Sequence, residues 1–157
     1  MSTSSMASPR IACIAIIGKS NSPLHLSTFP ATSNTLKYHF LTHATLDVFQ
    51  ARLPLKSNGD SDFGLLYSVD EGLAAYGWLT NTGVKIIVVV DVGGGGAGTP
   101  AMKDGELKPV FRALQTAYIH LVCNPFYEND EAKPITSKRF IEEIRRIGES
   151  WTPGVTL

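Results

Sequence analysis

The sequence predicts an α+β fold: a three-layer α/β/α sandwich on a five-stranded antiparallel sheet of order 2-1-5-4-3, with one helix on one face and two on the other. Three observations lead there. Two segments far apart in the chain, Ile11–Ile17 and Val84–Val90, are apolar on both alternating sides apart from Lys85. A strand of that kind must be covered on both faces and belongs in the middle of a sheet. Three strand-like runs follow one another through Asp70-Glu71-Gly72 and Asn81-Thr82-Gly83, short glycine-containing links that make antiparallel hairpins. Helical spacing comes once before those hairpins and twice after them, which segregates the helices to the two faces.

The elements take shape in order. Ile11–Ile17 is the first strand, Gly18–Pro23 a turn, and Leu24–Phe29 a more exposed strand alternating through His25 and Ser27. Leu36–Leu53 has no Gly or Pro, and Leu36, Phe40, Ala44 and Val48 repeat every four residues beside Leu41, which reads as the buried stripe of a helix. Asn34 or Thr35 can cap its start and Pro54 stops it. After the polar loop Lys56–Asp62 come the strands Phe63–Val69, Leu73–Thr80 and Val84–Asp91. Leu107, Val110, Phe111, Leu114, Ala117, Tyr118, Leu121 and Val122 form the wide apolar stripe of a second helix, ended by Asn124-Pro125. A third begins at Thr136 with Ile135 and Phe140 as a hydrophobic staple. It turns Phe140, Ile141, Ile144 and Ile147 inward, offers Glu142 and Arg146 as an outward i,i+4 pair, and stops at Gly148. Residues 1–9 read as a disordered tail, 10–150 as a single domain and 151–157 as a C-terminal tail.

Composition narrows the function classes. The 157 residues carry 14 Lys or Arg against 14 Asp or Glu, and 43% are hydrophobic while only 18% are charged. A neutral chain without a basic run lacks the clustered cations that nucleic-acid binding needs. Its longest apolar runs fall far short of the roughly 20 residues that span a bilayer. Arg10 before Ile11–Ile17 has the order of a signal peptide, but no small-x-small cleavage site follows, so the expected location is the cytoplasm. Cys13 and Cys123 lie in apolar segments with no CxxC and are expected to be buried free thiols.

Three motifs invite chemistry and fail on context. Gly18-Lys19-Ser20 lacks the upstream glycine of a phosphate loop, and a strand rather than a helix follows it. Gly93-Gly94-Gly95-Gly96-Ala97-Gly98 satisfies G-x-G-x-x-G formally. However, Pro100 to Gly105 intervene before the next helix, and Thr116–Asn124 contains no acid for a ribose. Four consecutive glycines fit a flexible loop better. His39, His43 and Asp47 share one helical face and could hold zinc, yet no glutamate adjoins either histidine to act as a base. A polar stripe facing solvent or a partner is the simpler reading. No catalytic residue, cofactor or metal is expected.

The first helix carries a second apolar set. Tyr38, Phe49 and Leu53 fall on a face different from that of Leu36, Phe40, Ala44 and Val48. One helix on one sheet face buries one stripe, so part of this second set is expected to stay exposed and to await another protein.

The order of elements and several local strings together resemble the sedlin family, the small longin-like subunits of the transport protein particle, TRAPP. The strings are HATLDVF at His43–Phe49, DFGLLYSV at Asp62–Val69, YGWLTNTGVKIIVVVD at Tyr76–Asp91, LKPVFRALQTAYIHLVCNPFY at Leu107–Tyr127 and ITSKRFIEEIRRI at Ile135–Ile147. The resemblance runs from about Ile11 to Ile147, nearly the whole chain. The ending Cys123-Asn124-Pro125-Phe126-Tyr127 favours a branch of the family other than sedlin itself. The link Gly93–Gly105 is longer and more glycine-rich than the family pattern, so contacts through it do not carry over.

The resemblance implies a profilin-like longin sandwich and a non-catalytic role in assembly. Such subunits pair with other small TRAPP subunits and help attach the large complex-specific ones. The assembled particle is a nucleotide exchange factor for Rab GTPases in endoplasmic reticulum–Golgi and Golgi traffic, so a Rab would be met only through the complex, peripherally to the membrane. In the family the Asp of the Leu-Asp pair on the first helix is linked to partner binding, and it matches Asp47. The expected partner-binding set is Asp47, His43, Tyr38, Phe49 and Leu53. The competing reading is a longin-type module that binds a SNARE. Such proteins usually continue into a coiled coil and an anchor, whereas this sequence ends at Leu157. An enzyme using a nucleotide at Gly93–Gly98 is the third.

Overall fold

The computed structural model describes residues 9–29, 35–52, 61–68, 72–91, 106–128, 130 and 133–151. The elements are β1 (Arg10–Ile17), β2 (Pro23–Thr28), α1 (Thr35–Arg52), β3 (Ser61–Ser68), β4 (Leu73–Leu79), β5 (Lys85–Asp91), α2 (Lys108–Val122) and α3 (Lys138–Ser150). The five strands form one sheet in the order β2-β1-β5-β4-β3, and every neighbouring pair is antiparallel. The predicted α+β sandwich is the one observed. Leu53, the loop 53–60, the glycine-rich 93–98 and Gly105 lie outside the described residues.

β1 and β5 are central because both of their faces are covered. Ile14 pairs with Val88 and Ala15 with Ile87. Strict alternation breaks near Ala12, where the register with β5 shifts between Ile11 and Cys13. One extra residue in a strand turns the next side chain onto the same face. Ala12 and Cys13 therefore both face α1, while Ile11, Ile14 and Ile16 face the other two helices. Lys85, which opens β5, is also buried, and its Nζ donates to Asn21 Oδ1 at 2.8 Å. Asn21 holds the turn between β1 and β2 with φ 64°, a left-handed conformation that asparagine tolerates better than most residues.

The two faces of the sheet differ in bulk. Against α1 it offers Ala12, Cys13, Ala15 and Ala75 among its buried side chains. Against α2 and α3 it offers Ile14, Ile16, Ile86 and Val88, with Tyr76 and Trp78 beside them. Trp78 stacks on Phe111 of α2, ring centroids 5.7 Å apart. Small residues under α1 let that helix sit close, and large ones on the other side fill the space beneath two helices.

The ends of α2 and α3 follow from local chemistry. Proline stands in the first turn of α2, where its missing N–H costs nothing. Ser137 caps α3, its side chain accepting from the Phe140 N–H. Three expectations need correction here. Gly148 does not stop α3, which runs on to Ser150; a Cβ there would collide with the Phe29 ring, so this glycine serves close packing. Arg146 pairs with Glu143 rather than Glu142, three residues back on the same face. Trp151, placed in the C-terminal tail by sequence, is 2% exposed and part of the core, because its indole closes the layer beneath α3.

Candidate interaction surface on the first helix

Helix α1 buries a face that period-four counting does not find. Tyr38, Leu41, Thr42, Thr45 and Phe49 are turned onto the sheet, with Tyr38 8% and Phe49 0% exposed. At 3.6 residues per turn these five share one side of the helix. A strict four-residue repeat instead drifts by about 40° at each step. Leu36 and Phe40 therefore point outward, and Ala44 and Val48 slide to the flank, where they are half-buried. The two buried threonines are the reason the true face is hard to recognise. Each hydroxyl donates to a carbonyl of its own helix, Thr45 Oγ1 to Thr42 O and Thr42 Oγ1 to His39 O at 2.9 Å. With their hydrogen bonds made locally, both can sit in an apolar layer at little cost.

Tyr38 and Phe49, expected to stay partly exposed, are instead buried in the core. Leu53 lies outside the described residues. His43 and Asp47 are exposed, and they share the outward face with Leu36 and Phe40, whose four-residue spacing predicts burial. Leu36 is 75% and Phe40 78% exposed. Leu36, Phe40, His43 and Asp47 fall within an arc of about 60° and extend along roughly 16 Å of helix.

An exposed leucine and phenylalanine thus stand beside an imidazole and a carboxylate on one face of α1. Burying each of the two apolar side chains against a partner would contribute about 1.5–3 kcal/mol, and the flanking polar pair would fix orientation. His39 is also exposed, and the spacing His39, His43, Asp47 raised the question of a metal. Among the described residues no group of three His, Cys, Asp or Glu is placed to hold one. Nor is any described helix long and apolar enough to cross a membrane. The Gly18–Pro23 segment forms a tight turn, with the Gly18 N–H donating to Ser22 O at 2.8 Å and the Asn21 N–H to Gly18 O at 2.9 Å.

Cys123 is exposed while Cys13 is buried. The apolar run preceding Cys123 suggested burial for both, but Cys123 is the residue that caps the end of α2, where the helix face turns to solvent. Phe126, two residues beyond Asn124, is 95% exposed, and its N–H is held by Asn124 Oδ1 at 3.0 Å.

Comparison with known proteins agrees with this architecture. The sedlin family model matches residues 16–150. The trafficking protein particle complex subunit 2-like protein of Dictyostelium discoideum is 36% identical over 143 residues, covering 88% of this chain and 96% of the relative. The protein of the same name from Xenopus tropicalis is 35% identical over 133 residues, covering 82% and 89%. That of Rattus norvegicus is 37% identical over 120 residues, covering 73% and 81%.

Proposed function

The chain belongs to the sedlin family, and from that premise we propose that it is a non-catalytic assembly subunit of a trafficking protein particle complex. The observation that carries the reading is the outward face of α1, where Leu36 and Phe40 stand in water beside His43 and Asp47. A lone globular subunit has no use for two neighbouring large apolar side chains held out on a helix. A subunit that docks through α1 does.

In this reading the chain bridges other small subunits of the particle and the large ones that define each form of it. It meets a Rab GTPase only through the assembled exchange factor, at the cytoplasmic side of endoplasmic reticulum and Golgi membranes. The relatives' printed names support the complex, and the outward surface supports docking as the role within it.

Affinity purification from the native cell tests the proposal. Asp47→Ala and the pair Leu36→Ser/Phe40→Ser should leave folding intact, since all three residues are exposed, and reduce recovery of the other particle subunits by about tenfold or more. Recovery of the complete particle at wild-type yield with both variants would refute docking through α1.

A further inference from the structure

A second surface lies on the opposite side of the sheet. Between α2 and α3 runs an open groove of about 1030 Å³, lined on one wall by α2 from Pro109 to Leu121 with Cys123 and Asn124 just past its end, and on the other by Ser137 and α3 as far as Arg146. The helical part of the α2 wall alone is roughly 18 Å long at 1.5 Å per residue. That matches an extended peptide of about five or six residues and far exceeds what a single small anion fills.

Its charge is lopsided. Arg112, Arg139, Arg146 and His120 line it against a single acid, Glu143, in a chain whose total charge is zero. Glu143 is already engaged, accepting from Arg146 Nε at 3.2 Å. Arg112 and Arg139 make no ion pair among the described residues. They stand on opposite walls, so a bound segment would lie between two guanidinium groups, of which Arg139 also acts electrostatically on Glu143 one turn along α3. The floor beneath them is apolar, formed where Ala117, Leu121 and Phe140 meet. Ala113 and Ala117 on the α2 wall are too small to fill the space.

From this combination we infer that the α2–α3 groove binds an acidic peptide segment of a partner protein, with carboxylates between Arg112 and Arg139 and an apolar side chain on the floor. The guanidinium fork suits carboxylates in pairs, and the apolar floor distinguishes such a segment from a plain phosphate. The site is separate from the α1 surface and does not depend on it.

The exposed thiol of Cys123 lies on the groove wall and Cys13 is buried, so the native protein carries its own reporter. A phage-displayed library of random dodecapeptides is panned on the full chain and on the variant Arg112→Glu/Arg139→Glu. Enriched peptides should hold an excess of Asp and Glu around one or two apolar residues. They should bind the variant at least about tenfold more weakly, lose affinity with added salt, and slow maleimide labelling of Cys123. Enrichment of neutral or basic peptides, no enrichment, or selected peptides that bind the variant equally well or leave Cys123 labelling unchanged would each overturn the proposal. So would protection of Cys123 by vesicles of phosphatidylcholine and phosphatidylserine in equal parts without protection by any selected peptide, which would make the groove a lipid contact. Loss of the α1 contact in the purification above leaves this readout unaffected, so the two readings fail separately.

Discussion

Phe49 of α1 lies against Gly77 of β4 so closely that a β-carbon on the glycine would stand 2.6 Å from the tip of the phenyl ring. The same β-carbon would meet the Leu66 side chain of β3. A ring at 0% exposure packed on bare backbone pins α1 to the sheet, and it fixes which face of that helix is turned to solvent.

Gly77→Ala should therefore destabilise the protein by about 1–3 kcal/mol through overpacking. Phe49→Ala, which leaves a cavity instead, should cost about 3–5 kcal/mol. Phe40→Ala on the same helix should change stability by no more than about 0.5 kcal/mol, because that ring is already in water. Chemical denaturation of the three variants checks the order. A Phe40→Ala loss as large as that of Phe49→Ala would mean that the outward face of α1 is part of the monomer's core.

The sheet was legible in the sequence and the orientation of α1 was not, for one physical reason. A strand buried on both faces announces itself, since no residue in Ile11–Ile17 or Ile86–Val90 is polar, and position in the sheet follows. Helix α1 carries apolar residues around most of its circumference, so its buried face depends on Thr42 and Thr45 being counted as core. Their hydroxyls are satisfied by the helix backbone, which no hydrophobicity pattern records. The same limit explains Gly148, where a residue that usually ends helices is required by an aromatic ring arriving from β2's end. The α2–α3 groove has no local signature at all, because its arginines come from two helices separated by the stretch 123–137.

Gly148 provides a change of sign. Alanine is favoured over glycine inside a helix by about 1 kcal/mol, yet a methyl group at 148 would enter the Phe29 ring. Gly148→Ala should be destabilising in the wild-type background. With Phe29→Ala already present, the same change should become stabilising by up to about 1 kcal/mol. A double-mutant cycle measured by denaturation reads this directly, and additive effects in the two backgrounds would show that Phe29 does not press on α3.

The two thiols should separate cleanly. Burial pushes the Cys13 thiol far above its ordinary pKa, and without thiolate or access it cannot react. Cys123 is exposed. Titration of the native protein with a disulfide reagent should release one equivalent rapidly and the second only in denaturant. Two rapid equivalents from the native protein would mean that β1 opens at its centre.

His25 gives the fold a dependence on acid. Burial pushes its pKa below the ordinary 6.5, since an imidazolium loses hydration there. The ring is hydrogen-bonded to Ser27 Oγ and meets Phe140 edge-on at 5.9 Å, and neither neighbour supplies a negative charge. The unfolded chain thus takes up a proton at a higher pH than the folded one. The contribution of His25 to stability is complete above about pH 6.5 and declines as the pH falls below it. In His25→Gln this slope is absent, while the other titrating groups remain. The melting temperatures of wild type and variant should therefore run parallel near neutrality and converge or cross as the solution is acidified from about pH 6.5 to about pH 5.5. Curves that stay parallel throughout would show that the His25 ring is protonated as easily in the folded protein as in the unfolded chain.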